Sequence, residues 1–281
     1  MKKTMLTLLA VLLLIPAAVS AKNPQIPTGI AVMSYNIRIG LAKDGTNAWE
    51  MRYPASAMMI EDQKPDVLGL QEPLNCHNRY LREFSKGYKV VNEGKPSDGD
   101  MVRQSILYNT ATTSVVKWGE FWLSETPEKK SRGWDAAYDR SVTWAIFKDK
   151  RSGKRFLVLN VHLDNEGSEA RANSVKLLVG KMEELNPDRL PVALIGDFNM
   201  ENSDAAMAPL KSVMKDARQV AVKSDSTPSY HGWGRSSETI DFIWMSGFGS
   251  CTQFETITKG YMPDRKFISD HYPVKATLFF L

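Results

Sequence analysis

The chain is poor in soft metal ligands: among 281 residues there are two cysteines, Cys76 and Cys251, and four histidines. That scarcity argues against a structural zinc cluster, which gathers Cys and His. Two cysteines allow at most one disulfide, which an exported protein could form, and are equally well explained as small buried apolar groups. Beyond the first twenty-one residues no segment is apolar enough to span a bilayer, so a multi-span membrane protein is excluded. A strong charge of one sign is also missing. The formal net charge is +4, and without Lys2 and Lys3 it is +2, a balance that does not by itself predict nucleic-acid binding. Internal repeats, low-complexity tracts and dividing linkers are absent as well, which points to one large domain with a substantial core.

What is present begins with a leader. Lys2 and Lys3 precede an apolar run from Met5 to Val19, followed by Ser20-Ala21-Lys22. A charged start, a short apolar stretch and small residues at Val19 and Ala21 predict a secretory signal peptide over 1–21, cut after Ala21. The run is shorter than the ~20 apolar residues that span a bilayer. Residues 22–281 are then a catalytic domain in the periplasm or outside the cell, with no stable membrane anchor.

Short apolar strands alternate with polar loops and a few helices. Strands are predicted at Gly29–Ile37, Asp66–Glu72, Ser105–Tyr108, Ser141–Lys148, Arg155–Leu163, Pro191–Ile195 (running into a turn that holds Asp197 and Asn199), Thr239–Met245 and Pro273–Phe280. Asp149 to Gly153 reads as a hairpin turn. Helices are predicted over Trp49–Glu61, Asn165–Leu185 and Ser203–Met214. Asn165 or Ser168 is expected to cap the second of these and Ser203 the third, while Asp204 favours the positive end of the third helix's dipole. Strand pairs with a few covering helices imply layers, the helices outside packed mixed sheets.

Polar residues gather where the strands end: Asn36, Glu72, Asn160 with His162, Asp197 with Asn199, and a late group of Asp241 with Asp270 and His271. In α/β folds chemistry tends to sit at such ends. Carboxylate and carboxamide oxygens without thiolates suit a hard cation, magnesium or its substitute manganese. Hard-metal binding beside His and Asn donors suits phosphoryl chemistry, because a cation neutralises phosphate charge while a carboxylate orients or deprotonates water.

Six motifs then fall in one order: Ser34-Tyr-Asn-Ile-Arg38, Leu70-Gln-Glu72, Asn160-Val-His-Leu-Asp164, Gly196-Asp-Phe-Asn199, Ile240-Asp-Phe-Ile243 and Ser269-Asp-His-Tyr-Pro273. In that order the chain resembles the endonuclease/exonuclease/phosphatase superfamily over essentially its whole mature length. Phe121–Pro127 and Gly133–Ala137 resemble the bacterial branch nearest the deadenylase-like exonucleases. The resemblance implies an α/β fold, a four-layer α/β/β/α sandwich of two packed mixed sheets flanked by helices. It implies Glu72 as the principal metal ligand, Asn36 as its orienting neighbour and Asp270 as a second acid at the metal side. Asp197 is implied as the carboxylate that activates water, Asn199 as donor to the scissile phosphate and His162 as an active-site histidine. His271 is implied as the phosphate-binding imidazole, held by Asp241 or Asp270. Arg140 resembles a phosphate-contacting arginine, and is otherwise an ordinary surface charge. Many relatives carry an acid near the strand Arg103–Tyr108; here the nearest is Asp100, which leaves the partner of His162 open.

The leaving group is less legible. Lys129, Lys130 and Arg132 before Trp134, and Lys117 before Trp118, make a modest case for a nucleic-acid groove. Against it, Trp118, Phe121, Trp122 and Trp144 read as core strand residues. A lipid-directed enzyme would expose an apolar hairpin, for which Phe121-Trp-Leu123 is the one candidate. Phosphodiesters, including RNA or DNA, are therefore expected first, and a sugar, inositol or lipid phosphate second. The remaining alternative, a non-catalytic binder of phosphate ligands, would have lost a metal or water-activating residue, and all are present.

Overall fold

The structure is a computed structural model and describes residues 29–91, 104–263 and 265–281. The expected leader, Asp100 and Arg103 lie outside the described residues. The first half of the chain forms β1 (Gly29–Asn36), α1 (Trp49–Gln63), β2 (Val67–Gln71), α2 (Asn75–Phe84), β3 (Tyr88–Val90), β4 (Ser105–Asn109), β5 (Thr113–Trp122) and β6 (Ser141–Asp149). The second half forms β7 (Arg155–His162), α3 (Ser168–Leu185), β8 (Val192–Asp197), α4 (Ala208–Lys211), β9 (Lys215–Asp216), α5 (Ala217–Val220), β10 (Asp241–Ser246), β11 (Phe248–Thr256) and β12 (Val274–Phe280).

Two six-stranded sheets result, in the orders β11-β12-β1-β2-β4-β3 and β5-β6-β7-β8-β10-β9. Within each, one central pair is parallel, β1 with β2 and β7 with β8, and the other pairings are antiparallel. Parallel neighbours need a crossover, and α1 and α3 supply it. Three apolar clusters define the layers. One, with Ile30, Val32, Val67, Phe147, Phe156, Val158, Ile195 and Ile243, lies between the sheets. Another joins the first sheet to α1 through Met33, Tyr35, Met59 and Ile60. The third joins the second sheet to α3 through Leu157, Leu159, Leu194, Val175, Leu178 and Met182. This is the expected four-layer α/β/β/α sandwich. Central strands such as β8 are buried along their whole length, which is why Val192–Ile195 reads as an unbroken apolar run.

Local details depart from the sequence expectation in two places. Helix α3 begins at Ser168 without a side-chain cap from Asn165 or Ser168. Instead the Asp135 carboxylate, from a distant loop, accepts from Glu169 N at 3.2 Å and Ala170 N at 2.6 Å. The stretch 203–214 is not one helix: Asp204, rather than Ser203, caps a short 3-10 turn at Ala205–Met207, and α4 follows as a single turn. Phe121 and Leu123 are buried, so that segment is no lipid-entering hairpin. Cys76 is exposed and Cys251 buried, and both are free thiols.

Register brings the chemistry together. His162 pairs with Asp197 across β7 and β8, and Asp197 pairs with Asp241 across β8 and β10. In the other sheet Asn36 lies opposite Gln71, the residue before Glu72. Both rows lie at the C-terminal ends of parallel central strands, so the two sheets present their polar residues at one end of the sandwich.

Candidate active site

Asp197 closes β8 and is the centre of the site. Gly196 before it makes the close packing possible: a Cβ there would lie 2.0 Å from Val161 O, and its φ of 152° is one that L side chains rarely adopt. The Asp197 Oδ2 atom accepts from Asn36 Nδ2 at 3.0 Å and lies 3.5 Å from His162 Nε2 and 3.7 Å from His271 Nε2. Its other oxygen accepts from Asn199 N at 2.9 Å. Burial, and then the neighbouring Asp241 carboxylate, raise the pKa of Asp197 above the ordinary carboxylate range.

His271 lies beside it. Its Nδ1 is 2.8 Å from Asp241 Oδ2, which fixes that ring nitrogen as the proton carrier and aims Nε2 toward Asp197. Burial opposes the charged imidazole, but Asp241 and then Asp197 outweigh it, so His271 is shifted upward. His162 moves the other way: burial first, then the Arg140 charge, hold it well below its usual value. The two imidazoles beside Asp197 are therefore pushed in opposite directions, His271 toward its charged form and His162 toward its neutral form. The contact between Asp241 and His271 also resolves the choice of partner, because Asp270 faces elsewhere. Its Oδ1 accepts from Ser269 Oγ at 3.2 Å and its Oδ2 lies 3.6 Å from Arg38 Nε.

Glu72 follows β2 in a left-handed conformation, φ 60°, which turns its carboxylate back over the strand ends. Ile39 N donates to Glu72 Oε2 at 2.7 Å, and Asn36 Nδ2 lies 3.3 Å from Oε1. Asn36 thus spans Glu72 in one sheet's loop and Asp197 in the other sheet, while its own Oδ1 accepts from Arg38 N at 3.0 Å.

The donors fit a hard divalent cation. Asp197, Asp270 and Glu72 line one cleft, and Asp241 Oδ1, on the residue paired with Asp197, is buried with no hydrogen-bond partner among the described residues. One ligand atom each from Asp197, Asp241 and His271 lies within 4.8 Å of the others, a buried acid–acid–histidine cluster able to hold a metal ion. Within that cluster the 2.8 Å contact already commits His271 Nδ1 to Asp241. Glu72 and Asp270, on the opposite flank of Asp197, keep oxygens that face the cleft.

Arg140 and Asn199 complete the expected set. Arg140 is held by Asp164 at 3.2 Å and by Asn165 Oδ1 at 2.8 Å, so it is a fixed cleft residue and not a loose surface charge. Asn199, also left-handed at φ 48°, donates one amide hydrogen to Leu163 O at 2.9 Å. Its second amide hydrogen is left for the cleft. Asn160, grouped with His162 by sequence, sits lower. It accepts from Gln71 Nε2 at 2.6 Å and donates to Leu70 O and Ser105 O, clamping the sheets together beneath the site.

All these side chains except Asn36, Asn160 and Asp241 line one cleft of about 680 Å³. Sequence reasoning passed over several of its other walls: Tyr138 and Asp139 on one side, Tyr230 and Glu238 on the other, and Arg38. Asp164, the clamp of Arg140, was within a recognised motif, yet its partners Ala137 N, Tyr138 N and Gly167 N could not be read from spacing. Of the two tryptophans weighed for a nucleic-acid groove, Trp118 packs against the inter-sheet cluster and Trp134 is half-buried, and neither lines the cleft; Trp144 is buried, in keeping with its reading as a core residue.

Comparison with known proteins agrees with this geometry. The profile of the Endonuclease/Exonuclease/phosphatase family matches residues 33–271, and the chain belongs to that family, whose members hydrolyse phosphoesters. A crystal structure of a family protein from Bacteroides thetaiotaomicron is 31% identical, with 91% of this chain and 99% of that one covered and a TM-score of 0.83. A mannosyl-6-phosphatase from Bacteroides thetaiotaomicron VPI-5482 is also 31% identical, covering 89% and 100% at the same TM-score of 0.83. An uncharacterised protein of Acanthamoeba polyphaga mimivirus is 27% identical over 164 residues, 55% of this chain and 60% of its own length.

Proposed function

We propose that the protein is an exported, divalent-metal-dependent phosphoesterase whose leaving group is a small molecule. The observation that carries the substrate class is the charge of the cleft. Arg38, Arg132 and Arg140 each lie within 3.2 Å of an acid, Asp44, Asp139 and Asp164 respectively. Glu72, Asp197, Glu238 and Asp270 add further acids to the lining. A polyanion binds through unpaired basic residues along a groove, whereas this cleft offers paired cations around one phosphate-sized centre. The likeness to a mannosyl-6-phosphatase supports the same choice. A phosphomonoester therefore precedes a phosphodiester, reversing the order expected from sequence. The charged leader of Lys2, Lys3 and Met5–Val19 supports export.

Each residue has a part. Glu72 and Asp270 would hold the cation, with Asn36 orienting Glu72. When bound, magnesium or manganese supplies positive charge to the phosphate oxygens. Asp197, made more basic by burial, takes the proton of the attacking water. The Asp241–His271 pair keeps an imidazolium against the phosphate as negative charge develops, and Asn199 and Arg140 donate to its remaining oxygens. His162, neutral, offers its Nε2 on the other side of Asp197.

The deciding experiment uses the full mature chain with p-nitrophenyl phosphate, bis-p-nitrophenyl phosphate and single-stranded RNA. Turnover of the monoester is expected to vanish with chelator and return with magnesium, and Asp197→Asn is expected to lower kcat by about 10³-fold without lowering Tm. Preference for RNA or the diester would restore a nuclease-like reading, and no turnover on any phosphoester would favour a binding protein.

A further inference from the structure

Two cleft residues are placed together by backbone pairing and have no part in the chemistry above. Tyr230 N donates to Glu238 O at 2.9 Å and Glu238 N donates to Tyr230 O at 3.0 Å. Residues that exchange both bonds lie directly opposite one another, and their side chains leave the same face of the hairpin. That face is the cleft, which both side chains line. Tyr230 also bridges to His271, and the two ring centroids are 4.7 Å apart. The phenol ring thus begins where the phosphate-binding imidazole ends.

The hairpin is built to hold that position. Its tip, Gly232-Trp233-Gly234, is left-handed at three successive residues, φ 49°, 60° and 87°. His231 N and Gly232 N both donate to Asp270 O at 3.1 Å, and Tyr272 N donates to Ser229 O at 2.7 Å. Ser229 Oγ accepts from Ile240 N and Asp241 N. Beneath the tip, His231 stacks on Phe267 at 4.1 Å and lies against Tyr272 at 4.2 Å. The hairpin is therefore fastened on both sides to the segment carrying Asp270 and His271.

We propose that the Tyr230–Glu238 hairpin selects the leaving group, and that it takes an uncharged polyol such as a hexose. The inference rests on the phosphoesterase function proposed above. An aromatic face beside a carboxylate suits a pyranose: the ring covers the apolar C–H face, and the carboxylate accepts from neighbouring hydroxyls. Glu238 is exposed, and its carboxylate takes a hydrogen bond from Ser236 Oγ. Across the cleft Tyr138, 54% exposed and backed by the Arg140 guanidinium at 5.2 Å, offers a second aromatic face, with Asp139 beside it. Acids on both rims repel a second phosphate or a polynucleotide while accepting from hydroxyls.

The test compares hexose 6-phosphates with methyl phosphate, whose leaving group has no further hydroxyl, in the wild type, Tyr230→Ala and Glu238→Gln. The wild type is expected to prefer at least one hexose 6-phosphate. In each variant the ratio of kcat/KM for that sugar over methyl phosphate is expected to fall by about tenfold, carried by KM for the sugar. Equal losses on both substrates, or an unchanged ratio, would overturn the inference. So would a wild type that hydrolyses methyl phosphate or p-nitrophenyl phosphate with no preference for sugars, and that outcome leaves the phosphoesterase function standing. A wild type inert toward all phosphoesters would remove both.

Discussion

Glu72 and Asn199, together with Arg38 and Trp233, show what single residues contribute beyond their identity. All four sit in the left-handed region, a conformation that costs a non-glycine residue of order 1 kcal/mol or more and clusters at functional sites. Nothing in the sequence marks these angles, so the positions of Glu72 and Asn199 were legible and their aim was not. Likewise the choice between Asp241 and Asp270 as partner of His271 depends on a 2.8 Å contact across 30 residues of chain. His231 carries a prediction at this scale. Burial holds its pKa down at about 4, below the ordinary 6.5, with His77 shifted the same way to about 3. A depressed histidine pKa means the unfolded chain binds the proton more readily. The stability it contributes is therefore full above about pH 6.5 and is lost as pH falls toward 4. His231→Phe keeps the stack on Phe267 and removes the titration. Its Tm should decline less between pH 6.5 and 4 than that of the wild type; parallel declines in a thermal-shift series would contradict this.

Among the elements, the buried central strands were the legible ones. β1, β2, β7 and β8 run apolar almost end to end, because both faces of each are covered. β11 escaped notice, and β5 was recognised only through Trp118, Phe121 and Trp122, because both are edge strands with half-exposed, mixed faces, and β11 is broken by two register shifts. α2 was missed because only His77 and Leu81 of its ten residues are buried, so no apolar stripe announces it. The cap of α3 failed for another reason. Local spacing favours Ser168 or Asn165, yet the loop carrying Asp135 folds over the helix N-terminus and supplies a carboxylate to two free N–H groups. Asp135→Ala should thus cost about 1 kcal/mol, a fall of about 2–4 °C in Tm for a domain of this size. Replacing Ser168 with Ala should cost less, and the reverse ranking in calorimetry would return the cap to Ser168.

At the scale of the molecule, layers with helices outside mixed sheets followed from the strand and helix pattern, and the family resemblance carried by six ordered motifs implied the four-layer order. The substrate did not follow, since it depends on which loops meet over the cleft and with what charge. The sheets themselves meet at a polar seam below the site. Gln71 donates across it to Asn160 and within its own sheet to Ser34, and a Cβ on Gly69 would lie 2.7 Å from Asn160 Oδ1 and from Ile195 Cδ1. Gly69→Ala must push those side chains aside, at about 1–3 kcal/mol. Its turnover is expected to fall further than that loss of stability explains, and an intact kcat in a destabilised variant would show that the seam tolerates widening.

That expectation has a wider basis. Asp197 belongs to one sheet and Glu72 follows a strand of the other, and Asn36 reaches both carboxylates, while among the described residues no strand ladder joins the two sheets. The separation between the water-activating group and the groups expected to hold the cation consequently depends on how the two sheets pack against each other. Turnover is therefore expected to respond to substitutions in the buried apolar filling between them.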